Sequence, residues 1–147
     1  MSPVVKGILI AVGVIFIIIG GVAFAGYRWW RANGRAYVEA LRVVRDDARA
    51  FGRTAENAQC VAAGLDRYGP DSSMLGSKKG ALFVTTCLPE SKPTPGFCAD
   101  VPGPRDFTAA REWQKRQCAS VSAASRYCPT IIGPVQRFCH PTTGNDT

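Results

Sequence analysis

The chain has 147 residues, 46% of them hydrophobic, and 18 Lys and Arg against 11 Asp and Glu give it a formal net charge of +7. Without its apolar N-terminal stretch about 120 residues remain, which is room for one compact domain and excludes two. The positive excess suits an anionic partner such as lipid headgroups, nucleic acid or an acidic protein face, but its spread along the chain reads first as ordinary solubility.

Residues 1–6 form a short flank. Residues 7–26, GILIAVGVIFIIIGGVAFAG, contain no charge. At 1.5 Å per residue they cover about 30 Å, the thickness of a bilayer core, and predict a transmembrane helix. Tyr27, Arg28, Trp29, Trp30 and Arg31 follow at once. Amphipathic rings among cations are what a headgroup boundary favours, so these five read as a membrane-interface anchor on membrane lipid, not as a nucleic-acid stacking patch. Residues 27–35 are expected to be an interfacial linker with a bend at Asn33-Gly34.

The rival reading is a cleaved signal peptide, with Lys6 as its basic region, Gly20-Gly21 as a break and Ala23-Phe24-Ala25 as the cleavage site. The apolar run exceeds the usual length of about 7–15 residues, which favours a retained anchor. The first cysteine is Cys60, too far from the run for a lipoprotein anchor. Gly7/Ala11 and Gly21/Ala25 are small-residue pairs of the kind that let membrane helices approach.

Two arguments about sidedness collide. Arg28, Arg31, Arg35, Arg42, Arg45 and Arg49 follow the span and only Lys6 precedes it, a bias toward a cytoplasmic domain. Six cysteines, Cys60, Cys87, Cys98, Cys118, Cys128 and Cys139, all lie after the span. An even number in a small domain behind an export-like segment reads as three disulfides in an oxidising compartment. No closely spaced ligand pair points to zinc. The disulfide argument is given precedence, which places the domain outside the cytoplasm, in the periplasm if the source is bacterial.

The domain proper is expected over 36–139, all-α and disulfide-stapled. Leu41, Val44, Ala48, Phe51, Ala55, Ala58, Ala62 and Leu65 recur at steps of 3 and 4. That heptad seam predicts one helix over 36–66, about 45 Å long, with a possible docking face. Its Ala-rich seam needs a partner, supplied by the domain's own later helices or by self-association. Residues 69–80 read as a polar loop with Lys78-Lys79 at its tip. Residues 80–89 read as a short helix bringing Cys87 to the core, and 90–105, with four prolines, as irregular.

Asp106 is placed as the N-cap of a helix running to about residue 123. Its half-buried face is predicted to hold Phe107, Ala110, Trp113, Cys118 and Val121. A last helix near 129–139 starts at Pro129 and carries Ile131, Ile132, Val135 and Phe138, with a kink or restart at Gly133-Pro134. Residues 140–147 read as a flexible tail, and Asn145-Asp-Thr147 as an accidental glycosylation pattern. An aromatic-Cys-x4-Gly-Pro pattern occurs at Phe97–Pro104 and again at Tyr127–Pro134, a candidate duplication. Successive helix hairpins favour the pairing Cys60–Cys87, Cys98–Cys139 and Cys118–Cys128 among the 15 that six cysteines allow.

No catalytic constellation emerges. His140 is the only histidine and falls on the expected tail. Asp46 and Asp47 diverge on a helix, and Glu90, Asp100, Asp106 and Glu112 suit loops and helix starts. Phosphate-loop, zinc-protease, nucleophile-elbow and C-x-x-C motifs are absent from the sequence. The expectation is a chain that is not an enzyme, takes no cofactor, metal or small-molecule substrate, and serves as an accessory or scaffolding subunit docking on a membrane protein complex. The alternative is a secreted binding or inhibitor module released by cleavage after Ala25.

Overall fold

The computed structural model describes residues 3–71, 73–103, 105–119 and 126–141, with side chains from residue 7 onward. Among them the regular structure is helical, without strands. α1 runs Pro3–Gly52, α2 Asn57–Tyr68, α3 Met74–Cys87, α4 Phe107–Cys118 and α5 Cys128–Cys139, and a 3-10 turn at Leu88–Glu90 follows α3. The chain divides into two compact units, residues 1–40 and 41–147.

The first unit is the N-terminal part of α1, a helix long and apolar enough to cross a membrane. Its residues from Ile8 to Phe24 leave their large apolar side chains exposed. In place of the bend expected at Asn33-Gly34, the helix continues through both residues. The Asn33 side-chain amide donates to the Trp29 carbonyl at 3.0 Å. A Cβ at Gly34 would sit 3.0 Å from the Trp30 indole, so the missing side chain is what lets that ring lie along the helix. The residue pair that looked like a hinge is a seat for the Trp30 ring.

The second unit is the stapled helical domain. The last turns of α1 bury Val44 and Ala48 in its core together with Cys60, Phe83, Val84, Cys87, Leu88, Trp113, Ile131, Ile132 and Val135. The single helix expected over 36–66 is broken after Gly52. The Ala55 carbonyl accepts from Lys92 N–H, and the Asn57 N–H donates to the Lys92 carbonyl, both at 2.9 Å. Glu56 is extended at φ −95° and ψ 164°, and with Gln59 it forms a capping box that starts α2. Backbone groups that would continue the helix are therefore spent on a second strand of chain, and the heptad steps ran across the break.

α3 begins at Met74, earlier than the expected loop allowed, because the Ser73 hydroxyl accepts from Gly76 N–H at 2.9 Å and caps it. Lys78 and Lys79 therefore stand on a helix and not at a loop tip. α3 packs between α2 and α5, and Gly80 marks the crossing. A Cβ there would meet Ile131 Cγ1 at 2.9 Å and Tyr68 Cβ at 3.0 Å. Arg67 lies across the rings of Phe51 and Phe83, at 5.1 and 5.0 Å from their centroids, and pairs with Asp47.

The six cysteines pair as anticipated, Cys60 with Cys87, Cys98 with Cys139 and Cys118 with Cys128. Asp106 caps α4, accepting from Ala109 N–H at 2.9 Å. Trp113 is buried, but Phe107, expected on the buried face, is 81% exposed at the first turn of α4. Val121 and the expected extension to 123 lie outside the described residues. α5 opens with Pro129 in its first turn and runs unbroken through a buried Pro134, with no restart. The apparent duplication has no structural counterpart. Cys98 sits in a run of turns while Cys128 opens a helix, and the upstream cysteines differ in partner, Cys87 bonding Cys60 and Cys118 bonding Cys128.

Candidate docking groove

The second unit presents a groove of about 320 Å³ between α2, α4, α5 and the turns at 96–101. α2 supplies Ala58, Val61, Ala62 and Leu65 along one wall. These positions are three and four residues apart and so share a helix face, while Cys60 and Gly64 turn to the core from the other. The floor is Trp113, Val101, Ile132 and Val135, all buried. Phe97 closes one end, its ring packed edge-on against Phe138 at 6.2 Å. Asp100 lines the groove as its one ionisable side chain and is exposed.

The turns that make the second wall have little regular structure, so their fixity has to come from side chains. The Cys98–Cys139 bond ties them to the end of α5. A ring nitrogen of His140 lies 2.8 Å from the Val101 carbonyl oxygen. The Gln136 amide donates to the Pro102 carbonyl at 3.4 Å, and the Gln114 amide donates to Gln136 Oε1 at 3.3 Å. Gly96, at φ +72°, takes the left-handed conformation that a side chain would strain. Upstream, the buried Asn57 amide donates to Ser91 Oγ at 2.8 Å while its Oδ1 accepts from Thr94 N–H at 3.1 Å. His140, read from sequence as part of a loose tail, is thus one of the pins of the groove wall. Residues 142–147 of that tail lie outside the described residues.

The heptad seam does not form one docking face. Val44, Ala48 and Ala55 are buried in the domain's own core, and Leu41 and Phe51 are half-buried. Ala58 and Ala62 are exposed and Leu65 half-buried, and these three line the groove. The break after Gly52 is the reason, since it re-aims the second half of the pattern. Sequence reading missed the groove's other wall, Phe97 and Val101, because four prolines mark that segment only as irregular.

Tyr27, Trp29 and Trp30, expected from the sequence at a membrane interface, are all more than half exposed. Arg28 and Arg31 are exposed beside them. Three carboxylates of the second unit have basic partners. Asp47 pairs with Arg67, Asp46 lies 3.9 Å from Arg49, and Glu112 lies 2.8 Å from Lys115. The Lys115 hydrogen bond, then its charge, hold the Glu112 carboxyl below the usual range. Hydrogen bonds from Ser73 lower Asp71 in the same way. Burial, and after it the Asp47 charge, raises the Tyr68 phenol. Among the described residues no three His, Cys, Asp or Glu converge as a metal site. No protein-family model, curated protein sequence or solved structure matches the chain.

Proposed function

We propose that the chain is a non-catalytic, single-pass accessory subunit whose domain sits outside the cytoplasm and docks an apolar segment of a membrane protein partner into the groove. The observation that carries this reading is the groove's construction. An apolar wall of Ala58, Val61, Ala62 and Leu65 faces an opening over a buried floor centred on Trp113, and the other wall is fastened by a disulfide and by hydrogen bonds from His140 and Gln136. A rigid, mostly apolar depression with one polar side at its rim is the form that binding sites take. Asp100 suits a cation on the incoming segment. Three disulfides behind an exposed apolar helix support the extracytoplasmic address, because such bonds persist in oxidising compartments. The ion pairs of Asp46, Asp47 and Glu112, and the contact of the single histidine with Val101, support a role without chemistry.

The test is site-specific photocrosslinking in native membranes, with the probe at Ala62 in the groove and at Glu112 outside it. The expected result is an adduct from Ala62 alone, with an integral membrane protein, lost when Ala58→Arg fills the groove. Equal adducts from both positions would contradict the groove assignment. An adduct of twice the chain's own mass would replace the partner with a second copy.

A further inference from the structure

We propose that Arg28, Arg31 and Arg35 clasp the phosphates of anionic phospholipids in the leaflet on the domain's side of the membrane. The inference rests on the membrane reading above and adds the class of lipid. It begins with a charge imbalance. The first acidic residue of the chain is Glu39, so residues 27–38 hold three arginines and no carboxylate. All three arginines are exposed, and no ion pair engages them among the described residues.

Geometry supplies the ligand. At about 100° per residue the three arginines fall within an arc of about 60°, so they form one ladder on one face. If Gly26 ends the apolar core, Arg28 lies about 3 Å and Arg31 about 7 Å beyond it, within the headgroup layer of about 5–8 Å. Arg35 starts about 13 Å out, but helix side chains lean toward the N-terminus, which here is the bilayer. Its long stem therefore reaches back toward the same layer. The anions found at that depth are lipid phosphates, and the arginine fork matches a phosphate in two-point geometry. Trp30, seated on Gly34, and Tyr27 fix the depth of the ladder as interfacial rings do. Nucleic acid does not reach this depth. Positive charge on the non-cytoplasmic flank runs against the usual bias, and lipid binding gives it a use.

The full chain is reconstituted in nanodiscs of equal phosphatidylglycerol and phosphatidylcholine, and the lipids retained after mild detergent extraction are counted by native mass spectrometry. Phosphatidylglycerol is expected to exceed phosphatidylcholine by at least about five-fold, the gain one arginine makes near an anionic surface. The R28Q/R31Q/R35Q variant should fall to the bulk ratio. R28K/R31K/R35K keeps most of the enrichment, and R53Q/R111Q/R137Q, with the same loss of charge in the domain, keeps all of it. Retention at the bulk ratio by the native chain, or undiminished enrichment in the triple Gln variant, would overturn the inference alone. A chain that does not enter the nanodisc would overturn the membrane reading with it.

Discussion

Removing the Cys60–Cys87 bond should cost the domain more than removing the Cys118–Cys128 bond. Both sulfurs are fully buried, and the bond joins α2 to α3 across a separation of 27 residues. Chain-entropy arithmetic gives about 3.5 kcal/mol for a loop of that length, and the two lost sulfurs add a packing loss of about 1 kcal/mol. The Cys118–Cys128 bond closes a separation of only 10, worth about 2.7 kcal/mol, and Cys118 is half-buried. In urea, with a slope of about 2 kcal/mol per molar, the C60A/C87A midpoint should fall by about 2 M and the C118A/C128A midpoint by about 1.3 M. The assay follows Trp113 fluorescence in full-length chain held in a non-ionic detergent. A Trp29→Phe/Trp30→Phe background leaves Trp113 as the sole indole. Equal midpoints, or a loss below about 1 kcal/mol for C60A/C87A, would refute the claim that this bond anchors the core.

Two glycines should respond in opposite directions. Gly80→Ala gains about 1 kcal/mol of helix propensity but overpacks against the fully buried Ile131, for a net loss of up to about 2 kcal/mol in the same urea assay. Gly133→Ala meets nothing within 4 Å and should stabilise by up to about 1 kcal/mol. Raising the pH should weaken the domain. Tyr68 is held above its ordinary value of 10.0, so its contribution is intact below about pH 10 and is lost as pH climbs through its folded value. Absorbance titration should show a tyrosine component ionising above pH 10 that Tyr68→Phe removes. Intact mass of chain extracted from membranes should include residues 1–26, and a mass beginning at Gly26 would convert the anchor into a cleaved leader.

The long apolar helix, the Cys60–Cys87 and Cys118–Cys128 bonds and the Asp106 cap were legible because each rests on local or nearly local rules: an uninterrupted apolar length, hairpins that join successive helices, and an acidic residue ahead of a helical pattern. The long seam misled because a period of 3.5 says nothing about continuity. The stop after Gly52 depends on Lys92, almost forty residues later, whose backbone takes the groups a helix needs. Glu56 is an uncommon N-cap, so the restart at α2 was hidden as well. Ser73, by contrast, is an ordinary cap, and α3 could have been started there. The Asn33-Gly34 pair has turn chemistry, and only the ring of Trp30 shows why a glycine stands in that helix. His140 and Phe97 escaped notice for one reason. Their places in the groove wall follow from the Cys98–Cys139 closure, a contact spanning 41 residues.

Counting free thiols in natively isolated, unreduced chain tests the account at its root. All six cysteines are bonded in the structure, so denaturation in the presence of a thiol reagent should label none of them, and prior reduction should label six. Six reactive thiols without reduction would contradict the stapled domain and, with it, the compartment and the docking role.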